Sequence, residues 1–259
     1  MNDFYKMVTD NMVYSFSSVS SFKTCPLMFK LTYINSEDRG KNWYADFGLL
    51  MHEVLEKYFK GELDIMELST FYEENYSKLV TSPPPPYPAG IAVRYYEDGL
   101  EFLNNFDFQK DNYNIISIED EIKTTFNDIK LVVKPDLVLQ EKSTGDVILF
   151  DYKTSNPFKD DKPDKKKIKD YVNQTYLYSY FINHTKDIKI SKIKLWFVRI
   201  NKWYEFDYNE EEAGNVVNWF YDGILNIRFE ENFDHCDTVK GKFFCQNLCS
   251  VSSQCPFKP

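Results

Sequence analysis

A chain of 259 residues with 43% hydrophobic and 17% aromatic content can bury a substantial core, which excludes a disordered tail or linker. Its net charge of −9 argues against a protein that simply coats nucleic acid, although local lysine clusters can still meet phosphates once divalent metal offsets the carboxylates. No apolar run approaches the ~20 residues of a membrane span, and the start MNDFYKMVTD lacks a basic-then-apolar leader, so a cytoplasmic protein is expected.

In chain order, the serine-rich YSFSSVSS introduces a first helix over 18–34. A second runs from Trp43 to Phe59, where Phe47, Leu50, Met51, Val54, Leu55 and Tyr58 recur at helical spacing. Helices near 65–80 and 89–106 lie on either side of the stiff SPPPPYP connector at 82–88, and read as a helical insertion over 60–112. The period then changes. Segments 114–126, 129–139 and 147–153 are rich in Ile, Val, Leu and Phe, with turns at Asn127-Asp128 and Ser143-Thr144-Gly145, and predict a three-stranded antiparallel meander. A helix over 168–183 and a strand over 189–200 follow, and Asn201-Lys202 turns that strand into WYEF. A last long helix over 210–228 begins after Asn209 with three glutamates. The order α-β-β-β-α-β predicts an α/β fold: a central mixed sheet with an antiparallel meander, flanked by helices, in one domain over 1–259.

Two stretches carry chemistry, KPDLVL with Asp136 and LFDYKTS with Asp151 and Lys153. A tight turn at 143–145 sets Asp136 opposite or nearly opposite Asp151. Asp151 and Lys153, two apart on a strand, share a face while Tyr152 points away. Asp-x-Lys alone is ordinary on the solvated face of a hairpin. Here it follows the apolar run Val147 to Phe150, so its strand reads as buried, and buried charges need partners. Two carboxylates and an ammonium suit phosphodiester hydrolysis. Carboxylates bind magnesium or manganese, and the lysine can orient water, transfer a proton or stabilise developing charge.

His52, on the flank of the second helix, offers a third protein ligand, and imidazole favours manganese over magnesium. Gly48, one turn earlier, would leave space beside it. His184 and His235 have no comparable setting. Lysines 159, 162, 165, 166, 167 and 169 form a charged loop after the proposed site, either simply solvated or in contact with DNA phosphates. Gln174 and Tyr178 share one helix face and could bind DNA backbone or base edges. Five cysteines, Cys25, Cys236, Cys245, Cys249 and Cys255, are an odd count that favours a metal or cluster site over disulfides.

Taken together, SFSSVSSFKTCP, GLLMHEVLE, the PD at 135–136, DYKTS at 151–155, QTYLY at 174–178 and the cysteine-rich tail over 236–259 resemble the RecB/AddB-like branch of the PD-(D/E)XK nuclease superfamily. That branch includes CRISPR-associated iron–sulfur exonucleases and phage and helicase-linked nucleases, so a bacterial or phage origin accords with it. The resemblance implies a restriction-endonuclease-like core. It implies that His52, Asp136, Asp151 and the backbone carbonyl of Tyr152 bind metal, that Lys153 is catalytic, and that Gln174 and Tyr178 help bind DNA. It leaves Glu119 or Glu121 as an accessory, with a slight lean to Glu121. It implies a 4Fe-4S cluster on Cys25, Cys245, Cys249 and Cys255, with Cys236 spare or replacing Cys245, and the tail closing onto the N-terminal helix. Four thiolates also bind zinc.

The function these features predict is a metal-dependent DNA nuclease, acting as an exonuclease on ends or single strands. With no G-x-x-x-x-G-K-[ST] loop, unwinding would fall to a helicase or recombination partner. The alternatives are a non-catalytic DNA-binding or scaffolding subunit of a recombination or repair complex, and a cluster-binding regulator with a vestigial nuclease core.

Overall fold

The computed structural model describes residues 3–37, 40, 42–237 and 241–259. Helix α1 (Asp3–Asn11) precedes α2 (Phe16–Thr24), which opens on a reciprocal cap: the Ser15 side chain accepts from Ser18 N, and Ser15 N donates to the Ser18 hydroxyl. The single helix expected over 18–34 is broken at Cys25, which is extended (φ −159, ψ 106). Pro26 is the cause, since it disfavours helical backbone in the residue before it and has no N–H of its own to donate. The chain restarts as α3 (Pro26–Phe29) and widens into a π-turn at Lys30–Ile34. Helix α4 (Trp43–Lys60) forms where its apolar period predicts, and α5 (Leu68–Leu79) and α6 (Ile91–Asn104) lie on either side of the proline run.

The strands are β1 (Tyr113–Ile118), β2 (Ile122–Phe126), β3 (Ile129–Val133), β4 (Leu137–Glu141) and β5 (Val147–Lys153). The continuous strands predicted over 114–126 and 129–139 are thus each cut in two. Glu119 takes a left-handed backbone (φ 55) and ends β1, while Pro135 cannot donate to a ladder between β3 and β4. β2 and β3 form a separate ribbon turned by Asn127 (φ 47) and Asp128 (φ 60), residue types that tolerate that conformation. After β5 comes a two-residue ribbon, β6 (Phe158–Lys159) and β7 (Lys162–Pro163), and then α7 (Lys165–Thr185). Asp164 caps α7 by accepting from Lys166 N and Lys167 N, so the expected charged loop is a short ribbon followed by the first helical turn. β8 (Ile190–Phe197) and β9 (Lys202–Asp207) form the predicted hairpin, with a tight turn at Val198–Ile200 and Asn201 at φ 46. The chain continues through α8 (Glu210–Phe229) and α9 (Lys242–Asn247).

The five-stranded sheet has the order β1-β4-β5-β8-β9. β5 and β8 are parallel, with α7 as the crossover, and the other neighbours are antiparallel, so the sheet is mixed as predicted. The chain forms two compact units. One, the sheet unit, comprises residues 43–122 and 134–213. Its core sets Phe47, Leu50, Met51, Val54 and Leu55 of α4 against Leu137, Leu139, Ile148, Phe150 and Trp196 of the sheet. The other, the cysteine unit, comprises 1–42, 123–133 and 214–259. Phe22, Phe29 and Phe233 form its aromatic centre, with Phe233 stacked on Phe29 at 6.2 Å. Among the described residues no helix is long and apolar enough to cross a membrane.

Candidate active site and cysteine cavity

The β4–β5 ladder pairs Leu137 with Phe150 and Val138 with Leu149, and one further step of that register sets Asp136 opposite Asp151, as the turn length predicts. Asp136 Oδ2 accepts from Tyr152 N at 2.6 Å. The Tyr152 ring is buried in the core beneath α4, 5.6 Å from the His52 ring in an edge-on contact. His52 Nδ1 lies 3.6 Å from Asp136 Oδ1 and 3.4 Å from Glu119 Oε1.

Glu119, not Glu121, is therefore the carboxylate beside His52. The break that ends β1 puts it there: at φ 55, Glu119 N donates to Asp136 O at 3.0 Å, which sets the two residues side by side. Glu121 is exposed. One donor atom from each of His52, Glu119 and Asp136 lies within 4.8 Å of the others. Lys134 closes the outer side, with Nζ 2.8 Å from Glu119 Oε2.

Asp151 and Lys153 form the second half of the site. Lys153 Nζ lies 2.5 Å from Asp151 Oδ2 and donates to Gln174 Oε1 at 3.1 Å. Gln174 Nε2 in turn donates to the Tyr178 hydroxyl at 2.9 Å, so the two α7 residues form a line ending on Lys153. Asp151 Oδ2 is buried, and among the described residues the Lys153 ammonium is the partner beside it. Gly48 faces Thr154 rather than His52: a Cβ there would sit 3.7 Å from Thr154 Oγ1.

The electrostatics follow from burial and crowding. Burial and the charge of Asp151 push Asp136 up to about 7, against the pull of His52 and Lys153. Burial works against a charged His52, but Asp136 and Glu119 outweigh it and hold the imidazole above its usual value. Burial likewise opposes the Glu119 carboxylate, yet His52 and Lys134 hold it below the usual range. Lys153 is raised, because Asp151 and Asp136 outweigh the burial of its ammonium.

The cysteine unit holds a different site. Cys25, Cys236, Cys245, Cys249 and Cys255 all line one cavity, together with Met28, Leu31 and Val251. Cys236 N donates to Cys25 Sγ at 3.3 Å, and Cys236 Sγ lies 3.9 Å from Cys245 Sγ. The tail is also tied to α3 by Leu27 N donating to Asp234 O. Burial, with Cys25 and Cys245 adding to it, pushes the Cys236 thiol up to about 12, and burial raises Cys249 too.

A family model described as the PD-(D/E)XK nuclease superfamily matches residues 13–256. Among solved structures, a "Putative exonuclease" from Eubacterium rectale is similar over 98% of this chain and 91% of its own, with a TM-score of 0.55 and 12% identity, which shows a shared fold. The protein SSO0001 aligns over 90% of this chain and 95% of its own at 17% identity, with a TM-score of 0.37 that bears no weight. No curated protein matches the chain.

Proposed function

The chain belongs to the PD-(D/E)XK nuclease superfamily, and on that premise we propose that it is a divalent-metal-dependent deoxyribonuclease, an exonuclease that hydrolyses phosphodiester bonds at DNA ends or in single strands. The observation that carries this reading is the meeting of His52, Glu119 and Asp136 beside the Asp151–Lys153 pair at one end of the sheet.

The donor set fits a hard cation. Carboxylate oxygens of Asp136 and Glu119 lie beside the His52 ring, and Asp151 Oδ2 is buried with Lys153 as its ion-pair partner. Burial and the charge of Asp151 favour a proton on Asp136 that a cation would displace. His52, Asp136, Asp151 and the Tyr152 carbonyl would hold magnesium or manganese, with Glu119 as accessory. Bound there, the cation would acidify a water and neutralise charge on the phosphate.

Of the three roles open to Lys153, its contacts with Asp151 Oδ2 at 2.5 Å and Gln174 Oε1 at 3.1 Å, which suit an ammonium, favour the charged ones, orienting water and stabilising the transition state. Gln174 fixes the lysine by accepting from it, and Tyr178 fixes which end of the amide faces it. The same two residues are proposed to meet DNA when it occupies the site. Lys165, Lys166, Lys167 and Lys169, on the first turns of α7, would meet its phosphates.

The test is degradation of end-labelled linear DNA with magnesium or manganese, comparing wild type with Lys153→Ala and Asp136→Ala. Wild type should degrade linear but not closed circular DNA, and both variants should lose activity. Degradation that survives both substitutions refutes this site, and tight DNA binding without cleavage by wild type would point to the scaffolding alternative.

For the cysteine cavity we propose a 4Fe-4S cluster that ties the tail to Cys25. Five cysteines around one cavity, Cys25 and Cys245 buried and the other three half-buried, with no acidic side chain among its lining residues, support a soft-metal site. His235 also lines it and would suit zinc, but the family resemblance favours the cluster. The cavity lining includes Cys236 alongside Cys245, which keeps the choice between them open. Anaerobically purified protein should be brown, with the colour dependent on Cys25, whereas stoichiometric zinc in colourless protein would refute the cluster.

A further inference from the structure

We propose that Arg199 is a positioning residue for the active site, holding the exit of β5 immediately after Lys153 and tying it to the helical insertion. The proposal rests on the nuclease reading of the Asp151–Lys153 site.

Arg199 lies in the turn after β8, with only 11% of its side chain exposed. A guanidinium at that depth needs partners, and it has three. Nε donates to the Thr154 carbonyl at 3.1 Å, Nη1 donates to Asp98 Oδ2 at 2.5 Å, and the group lies over the Tyr95 ring at 4.0 Å from its centroid. Asp98 and Tyr95 are both on α6, one turn apart. The Tyr95 ring also packs against Trp43 at 4.8 Å and Phe47 at 5.0 Å, at the start of α4.

Thr154 follows Lys153 directly. On its side-chain flank it faces Gly48 of α4, one turn before His52, where the absence of a Cβ lets helix and strand end approach. The Lys153–Thr154 segment is therefore held from one direction by the His52 helix and from another by Arg199. Ser155 adds a third tether, since its Oγ accepts from Tyr171 OH at 3.1 Å. Lys153 can meet both Asp151 and Gln174 only while its backbone stays in place. Displacements near 1 Å are enough to cost a catalytic group much of its effect, about a hundredfold in unfavourable cases. The fork is specific to arginine, because two different nitrogens reach two partners that a single ammonium cannot bridge.

The test uses the full chain with its metal. Arg199→Ala and Asp98→Ala should each lower kcat on linear DNA about tenfold, with KM for DNA within about twofold of wild type. The double variant should be no slower than Arg199→Ala, since the two act as one unit. Arg199→Lys should recover little. Amide hydrogen exchange across 152–155 should be faster in Arg199→Ala than in wild type, at a temperature where both are folded. Wild-type kcat in folded Arg199→Ala, additive losses in the double variant, or unchanged exchange across 152–155 would overturn the proposal. A rise in KM alone would make Arg199 a DNA contact and overturn it too. If wild type cleaves no DNA the nuclease reading fails separately, and the exchange measurement still decides whether Arg199 holds the segment.

Discussion

The two units of the molecule gather their reactive groups in opposite ways. In the sheet unit, Asp151 and Lys153 lie on β5 while Glu119 and Asp136 lie at the ends of β1 and β4, and backbone hydrogen bonds fix their spacing before any ligand arrives. In the cysteine unit, Cys236 meets Cys25 across 211 residues of sequence, and the thiols sit on a short helix, turns and an irregular tail. The first site is preorganised by hydrogen bonds that the fold makes anyway. The second brings thiols together that burial keeps protonated, so a bound metal would supply much of the order there. A cross-link also gains most where it closes a long loop.

The largest expected effect tests the first half of that contrast. Lys153→Ala should lower DNA cleavage by at least about a hundredfold in protein that still folds, with some loss of melting temperature because buried Asp151 loses its ion-pair partner. A variant that unfolds instead would show the ammonium to be a structural counter-ion of Asp151. Cys25→Ser tests the second half. It should abolish the brown colour and speed hydrogen exchange across 241–259, with little change across 137–153; equal loosening of both segments would mean that the two regions do not differ as argued.

Two glycines sharpen the comparison through packing. A Cβ at Gly99 would sit 2.6 Å from the Tyr72 hydroxyl, and one at Gly223 would sit 2.4 Å from Val19 Cγ1. Gly99→Ala and Gly223→Ala should each cost about 1–3 kcal/mol, as overpacking does. Calorimetry would measure the loss. Hydrogen exchange should place the first in the sheet unit and the second in the cysteine unit.

The smallest effect concerns pH. Asp136 near 7 and the raised His52 both carry protons that an incoming cation must displace. Manganese affinity, measured calorimetrically, should therefore rise from pH 6 to pH 8, by up to about tenfold per pH unit for each proton released. A flat profile would remove these two residues from the ligand set.

Much of the sheet unit is legible in the amino-acid sequence because its determinants are local. The two-residue period places Asp151 and Lys153 together, a short turn places Asp136 opposite them, and the stripe on α4 carries His52 along. Glu119 is the instructive exception. A continuous strand over 114–126 puts Glu119 and Glu121 on one face and cannot choose between them. The left-handed backbone at Glu119 chooses, and no glycine marks that break in advance. The turn of the β2–β3 ribbon at Asn127-Asp128 is predicted, but its separation from the main sheet is not, for the same reason, although Pro135 hints at it. Pro26 does announce the break at Cys25, which the helical reading over 18–34 passes across. Helix α1 has apolar Phe4, Met7 and Val8 at helical spacing, yet buries only Thr9, and is not among the elements predicted from the sequence. Arg199 carries no sequence signal either, since its partners Asp98 and Thr154 are remote in sequence.

One contact has a thermodynamic corollary. The amide of Tyr152 occupies Asp136 Oδ2, which leaves Oδ1 as the oxygen turned toward His52. A cation held by the proposed ligands would still need further oxygens to complete its shell, and these are of the kind a phosphodiester brings. On the proposed nuclease reading, metal and DNA should then raise each other's affinity by one common factor, so that the site would fill chiefly when a strand is already in place.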